Sequence, residues 1–95
     1  MFRNLVLGRL HPDADRARLT AAFRALEALG LEGTLEVRAG FDAGLREGGW
    51  DYAITGDFAD VEAYRRYDLD DEHNRLRREE FGPLSSEIAR VQLEL

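Results

Sequence analysis

The sequence predicts an α+β protein of the ferredoxin-like type, with the element order β-α-β-β-α-β in a single domain over residues 1–95. Three observations lead to this prediction. Strand-like alternation recurs in four segments, helical periodicity of apolar residues fills the first and third intervals between them, and the length suits one domain. Right-handed crossovers then place both helical regions on one face of a four-stranded sheet.

The first strand is predicted over residues 2–10, where both faces are apolar at the centre, as in a strand covered on two sides. A helix begins after Pro12, with Asp13 or Asp15 as its N-cap, and Gly30 is its natural stop. The apolar stripe that this helix buries consists of Leu19, Ala22, Phe23 and Leu26.

The second strand is predicted over residues 34–41, and the third over residues 50–58. In the second strand one face carries Leu35, Val37, Ala39 and Phe41. The glycine-rich loop over residues 42–49 is either a lid over a pocket or a plain connection.

A second helix is predicted to begin at Asp60, and a further helical segment, capped by Asp70 or Asp71, runs through Phe81 and ends at Gly82-Pro83. The inner side of the second helix carries Val61, Tyr64 and Tyr67. A last strand covers residues 88–95. Its predicted inward residues are Val91, Leu93 and Leu95, and its outward residues are Arg90, Gln92 and Glu94.

Composition and charge exclude several classes of partner. The chain has thirteen basic and nineteen acidic residues, which gives a formal net charge of −6. Nucleic acid binding needs a coherent positive surface, so we expect no nucleic acid partner. No apolar run approaches the ~20 residues that span a bilayer, so we expect no membrane partner. The chain has no cysteine for a disulfide framework or a thiolate metal site. We therefore expect a cytoplasmic protein.

The sheet face without helices is predicted to be an association surface. A bare apolar sheet face is unfavourable in water, and two such faces packed together bury each other. We therefore expect a two-fold symmetric homodimer, with the protein as its own partner. The expected interface residues are Arg3, Leu5, Leu7, Arg9, Asp51, Ala53, Thr55 and Asp57.

Four charged residues on this face suggest a specific pairing. If the first and third strands run parallel, Arg3 lies opposite Asp51 and Arg9 lies opposite Asp57. Such pairs, buried by the partner, would fix the register of the dimer more than they would stabilise it. The alternative is four ordinary solvated charges.

The order of several short motifs resembles the stress-responsive dimeric α/β-barrel (Dabb) family. The opening strand, residues 2–10, is similar to the family's first strand, and Trp50-Asp51-Tyr52-Ala53 to its third-strand start, commonly Tyr-Asp-His-Ala. Residues 58–67 resemble its strand-to-helix passage. Asp70-Asp71-Glu72-His73 stands where the family often has His-Pro-x-His, and Pro83 matches a proline near the helix end.

The resemblance implies a ferredoxin-like protomer and a dimer whose two sheets form a barrel. Most members have no assigned reaction, but one plant branch cyclises polyketides with a tyrosine and a histidine that correspond to Tyr67 and His73. The sequence departs from the family at Asn4, Tyr52 and Asp70, which replace frequent histidines.

The candidate ligand pocket lies on the helix-facing side of the sheet. Its expected residues are Asn4, Val6, Gly8, Tyr52, Ile54, Gly56 and, from the helix, Leu76. Either the two glycines leave a cavity, or they admit bulky residues such as Tyr64 or Phe23. A cavity of roughly a few hundred Å³ reaching His73 would favour a ligand binder or an enzyme, and a filled space would favour a scaffold.

His73 and Tyr67 are the candidate catalytic residues. An ordinary histidine pKa of about 6.5 suits a general base, and Tyr67 would hold the ring or a substrate oxygen. The alternative is a histidine hydrogen-bonded in place at the helix start. The acidic run over residues 68–72 offers oxygen ligands, but its spacing matches no calcium loop and helix N-termini attract carboxylates anyway. We predict neither a metal nor a cofactor.

The sequence thus favours a small homodimeric stress-responsive barrel protein without established catalysis that binds a small apolar ligand between sheet and helices. The alternative is a cofactor-free enzyme resembling a polyketide cyclase or an isomerase. In that case His73 abstracts a proton beside a carbonyl group, and Tyr67 orients the substrate.

Overall fold

The computed structural model describes all residues 1–95 and contains one four-stranded antiparallel sheet. Its strands are β1 (Phe2–Leu10), β2 (Thr34–Phe41), β3 (Tyr52–Phe58) and β4 (Ser85–Glu94). Their spatial order is β2-β3-β1-β4, with β3 and β1 at the centre. The predicted ferredoxin-like α+β order is confirmed, although β3 begins two residues later and β4 three residues earlier than expected.

The helices lie on one face of the sheet. They are α1 (Arg16–Glu27), α2 (Val61–Leu69), α3 (Asp71–Leu76), a π-helical segment (Arg77–Phe81) and α4 (Gly82–Leu84). The predicted caps form at Asp15, Asp60 and Asp70, whose carboxylates accept bonds of 3.1, 2.9 and 3.0 Å from backbone N–H groups three residues later. None of these helices combines the length and apolar character needed to cross a membrane.

The prediction that Gly82-Pro83 ends the helix is wrong by one short turn. Pro83 lies in the first turn of α4, which continues to Leu84. Proline is tolerated there because the missing N–H would have had no partner within that helix.

The core lies between the helices and the sheet, and α1 contributes four of its residues. Leu19, Ala22, Phe23 and Leu26 are all buried, as predicted. Phe23 is the centre of an aromatic cluster, with ring centroids 5.1 Å from Phe41, 5.6 Å from Tyr52 and 5.9 Å from Phe81. These contacts fix α1 over β2 and β3 and join them to the helical segment that precedes β4.

Leu35 does not share the buried face of β2. The pairing of β2 with β3 shifts between Thr34 and Glu36, which marks a β-bulge. The extra residue at a bulge is left unpaired and local alternation is broken. Leu35 is therefore 60% exposed, while Val37, two residues on, is buried.

The predicted parallel pairing of β1 with β3 is wrong. The two strands run antiparallel, so Arg3 lies opposite Asp57 instead of Asp51. Arg3 donates to both carboxylate oxygens of Asp57, from Nε at 2.7 Å and from Nη2 at 3.1 Å. A strand that returns through a hairpin from β2 necessarily runs opposite to β1, because the right-handed crossover makes β1 and β2 parallel.

The other predicted pair, Arg9 with Asp57, does not form either. Arg9 pairs with Glu87 of β4 at 3.3 Å and stacks over the ring of Trp50 at 4.2 Å. Asp51 accepts a hydrogen bond of 2.7 Å from the backbone N–H of Leu10. Asp51 therefore secures the end of β1 within the chain.

The two faces of β4 are the reverse of the prediction. Val91 lies opposite Leu5, and Arg90 lies opposite Val6. Directly opposite residues share a face, so Val91 and Leu93 lie on the uncovered face, and Arg90 and Gln92 face the helices. Leu95, also predicted to face inward, is 64% exposed at the chain end.

The uncovered face is consequently more apolar than predicted. It carries a groove of about 280 Å³ over the centre of β1, β3 and β4. The side chains of this face that line the groove are Leu5, Leu7, Ala53, Thr55, Ala89 and Val91. Val91 is 52% exposed and Leu7 39% exposed, so a single chain leaves this surface open to water.

Candidate functional site

A cavity of about 50 Å³ lies between the helix-facing side of the sheet and the segment from α2 to α4. Six of the predicted site residues line it: Asn4, Val6, Tyr52, Ile54, Tyr67 and His73. The volume corresponds to roughly two water molecules at liquid density. The cavity therefore reaches His73 as expected, but it is much smaller than a typical ligand pocket.

The two glycines do not create this cavity. A Cβ on Gly8 would lie 2.0 Å from ring atoms of Tyr52, and a Cβ on Gly56 would lie 2.8 Å from the Phe58 ring. Aromatic rings of β3 cover both glycines. The expected covering residues, Tyr64 and Phe23, do not. Leu76, the remaining predicted pocket residue, is buried in the core and does not line the cavity.

His73 lies in the first turn of α3, held there by the Asp70 cap. Its ring centroid is 4.2 Å from that of Tyr67, with the planes inclined by 43°. The Nδ1 atom of His73 is buried and has no hydrogen-bond partner. Buried polar atoms are nearly always paired, so Nδ1 is an exception, although the Asp70 cap holds the backbone of His73 and the Asp68 backbone offers its ring a hydrogen bond.

Burial sets the protonation of the two candidate catalytic side chains. Desolvation lowers the pKa of His73 below its ordinary 6.5, and Arg77 adds to this, while Asp68 and Asp70 oppose it. Desolvation raises the pKa of Tyr67 well above its ordinary value. At neutral pH the cavity therefore holds a neutral imidazole beside a protonated phenol.

The polar side chains Asn4, Tyr52 and Tyr64, which line the cavity, are hydrogen-bonded to Gln92 and Ser85, which lie outside its lining. Gln92 Nε2 donates to Asn4 Oδ1 at 3.1 Å and to the Tyr64 hydroxyl at 2.7 Å. On the other side, the Tyr52 hydroxyl and Ser85 Oγ are 2.8 Å apart in a buried hydrogen bond. The hydrogen-bonding groups of Asn4, Tyr52 and Tyr64 therefore have partners within the chain, whereas Nδ1 of His73 has none.

Four residues at the cavity mouth are absent from the predicted pocket, although the sequence already places Tyr64 on the inner side of the second helix. These are Tyr64, Asp68, Arg77 and Arg90, which also line an outer cleft of about 600 Å³. Arg90 is predicted to face outward on the last strand, and the structure turns it towards the helices because β4 presents its opposite face. Matching the apolar Val91 and Leu93 to the apolar uncovered face would have placed Arg90 correctly.

Two further sequence hypotheses receive a structural answer. None of the residues that line the cavity comes from the loop over residues 42–49, so the lid hypothesis finds no support. The Asp70 carboxylate in the acidic run caps α3 through the backbone N–H of His73. At Asp70, therefore, the acidic run stabilises a helix N-terminus, which was the alternative to metal binding.

The sequence model of the family described as the stress responsive A/B barrel domain (Dabb) matches residues 2–94. A comparison with curated proteins finds no match.

Solved structures share the fold at low sequence identity. A dimeric ferredoxin-like protein of unknown function from Thermobifida fusca is 22% identical, with a TM-score of 0.88 over 99% of this chain and 90% of that one. A Dabb family protein from Mesorhizobium loti is 19% identical, with a TM-score of 0.78 over 99% and 95%.

A third similar structure is an enzyme. The hydroxynitrile lyase from Passiflora edulis is 17% identical to this chain, with a TM-score of 0.82 over 99% of this chain and 92% of that one. At this identity the similarity establishes the fold alone. The family match covers nearly the whole length, and the chain belongs to the stress responsive A/B barrel domain (Dabb) family.

Proposed function

We propose that this protein is a homodimer that binds a small ligand in the cavity beside His73. The dimer is supported by the open apolar groove around Leu5 and Val91 and by the dimeric description of the similar Thermobifida fusca structure. Two copies packed through this face would cover the groove on each chain. The proposed arrangement leaves the helix-facing cavity of each protomer free.

The cavity that reaches His73 carries the ligand-binding proposal. Its lining is mostly apolar, and Asn4, Tyr67 and His73 supply polar groups able to bind a ligand hydroxyl or carbonyl. The inner cavity accommodates only a few non-hydrogen atoms, and the outer cleft offers about 600 Å³ for the remainder. A ligand would therefore insert a short apolar end and leave the rest at the mouth.

Nuclear magnetic resonance titration tests this proposal with two four-carbon probes, butanoate and butanamide. We expect at least one of them to give saturable shifts at the amides of Asn4, Tyr67 and His73. Ile88→Trp should abolish these shifts, because Ile88 is 41% exposed at the cavity rim and a larger ring can fill the space. Leu45→Trp, 86% exposed in a distant loop, is the control. Absence of cavity shifts with both probes would overturn the proposal.

General-base catalysis is the second candidate, favoured by the neutral state of His73. The imidazole would take a proton from the carbon beside a carbonyl; the C–H electron pair would form a C=C bond, and the carbonyl π pair would move to the oxygen to give an enolate. Tyr67, which keeps its proton, would donate to that oxygen.

Deuterium exchange into 2-butanone in D₂O measures this step directly, since the enolate recovers a deuteron from solvent. The wild-type protein should accelerate exchange over buffer, and His73→Gln should remove the acceleration while the circular dichroism spectrum stays native. Exchange at the buffer rate with the wild-type protein, or undiminished exchange with His73→Gln, would eliminate this candidate.

A further inference from the structure

Two arginines at the cavity mouth have no carboxylate partner. The Arg90 side chain makes no hydrogen bond or ion pair within the chain, and the Arg77 side chain donates only to the amide oxygen of Asn74, at 3.3 Å. Seven of the thirteen arginines make no ion pair, and of these only Arg77 and Arg90 line the inner cavity. Both side chains line the inner cavity as well as the outer cleft.

The two guanidinium groups reach the mouth from different walls. Arg77 opens the π-helical segment and Arg90 lies on β4. His73, Arg77 and Phe81 follow each other at intervals of four residues, and all three line the cavity. The π-helical segment, of a kind often found at functional sites, therefore carries Arg77 beside the candidate base.

The charge balance at the inner cavity is positive in an otherwise acidic protein. Arg77 and Arg90 contribute two positive charges and Asp68 one negative charge, and no other charged residue lines the cavity at neutral pH. Burial is the main cause of the raised pKa of Tyr67, and the charge of Arg90 opposes that rise. The positive charge of Arg90 therefore acts on the Tyr67 hydroxyl, which lines the cavity.

We propose that the ligand of this cavity is a small organic monoanion, a carboxylate on a short apolar chain. Guanidinium groups bind carboxylates with charge-assisted, directional hydrogen bonds. The carboxylate would lie between Arg77 and Arg90, with the chain directed towards Val6 and Ile54. The net charge of +1 from Arg77, Arg90 and Asp68 favours a ligand with one negative charge over a phosphate dianion. This inference rests on the proposed ligand-binding function and names the class of ligand.

The test compares butanoate with butanamide, which have the same size and differ in charge. At pH 7.5 the dissociation constant measured from amide shifts at Tyr67 and His73 should be at least about tenfold lower for butanoate. Arg77→Met and Arg90→Met should each weaken butanoate binding about tenfold and leave butanamide binding unchanged. Arg65→Met is the control, since Arg65 is exposed on α2, has no ion pair and does not line the cavity.

Each other outcome has a distinct meaning. Equal affinity for the two probes would overturn the carboxylate inference and leave ligand binding intact. Tight butanoate binding that survives both arginine substitutions would overturn it as well, because the anion would then be bound elsewhere. Binding of neither probe would overturn both the inference and the proposed function. Tighter binding of butyl phosphate than of butanoate would replace the monoanion by a phosphate ester.

Discussion

Arg3 of β1 and Asp57 of β3 form a two-point ion pair across the uncovered face of the sheet. Hydrogen bonding to Arg3 is the main cause of the lowered pKa of the Asp57 carboxyl. In a single chain both side chains remain in contact with water, at 38% and 26% exposure, and such pairs contribute little to stability. The pair lies at the edge of the apolar groove, where the proposed dimer would bury it.

Asp57→Asn should weaken dimerisation by at least about tenfold, because Arg3 would then be buried against the partner without its counter-charge. Sedimentation equilibrium gives the dimer dissociation constant. Asp51→Asn serves as the control and should leave this constant unchanged. The Asp51 side chain accepts a bond from the Leu10 N–H, which an amide oxygen can still accept. An unchanged constant for Asp57→Asn would remove the pair from the interface.

Val91→Asp should convert the protein to a folded monomer. The substitution places a carboxylate in the centre of the apolar groove, where a packed dimer would have to desolvate it. In a single chain Val91 is already 52% exposed, so folding should survive. Light scattering after gel filtration reports the mass. The control is Leu69→Asp on the helical side, 75% exposed; equal masses for the two variants would argue against this interface.

Stability should fall as the pH drops below 6.5, because of His73. Its folded-state pKa is lowered, chiefly by burial, so between that value and 6.5 the unfolded chain binds a proton that the folded chain does not. Because unfolding takes up a proton in this pH range, the free energy of unfolding decreases as the pH is lowered. Stability is greatest above 6.5, where the imidazole is neutral in both states.

Urea unfolding at pH 7.5 and pH 5.5 measures this effect. His73→Gln should reduce the loss of stability between the two pH values, since glutamine does not titrate. His11→Gln, at an exposed turn, should keep the wild-type loss. If the two variants lose equal stability, the pH dependence originates elsewhere.

Gly8→Ala should destabilise the fold by about 1–3 kcal/mol through overpacking. The new methyl group would lie 2.0 Å from ring atoms of Tyr52, which is buried and hydrogen-bonded to Ser85 and cannot move away freely. Gly40→Ala is the matched strand control, because nothing lies within 4 Å of its Cβ position. Equal unfolding free energies for the two variants would show that the Tyr52 ring adapts.

The sequence alone determined the elements and their order. Local chemistry is sufficient for this: the carboxylates of Asp15, Asp60 and Asp70 cap helices within three residues of themselves, and the stripe from Leu19 to Leu26 follows the helical period. The closeness of Tyr67 and His73 was expected from the family resemblance, and the structure places the two side chains on separate helices, α2 and α3.

Only the tertiary structure decided the partners across strands. Strand direction changed the partner of Arg3 from Asp51 to Asp57, and the face of β4 moved Arg90 from solvent to the cavity mouth. Alternation along a strand shows that two faces exist but not which is buried, because a strand apolar on one side fits either face. That choice depends on contacts with β1, whose Val6 lies opposite Arg90 in the sheet although the two are far apart in the chain, and those contacts determined which arginines lie beside His73.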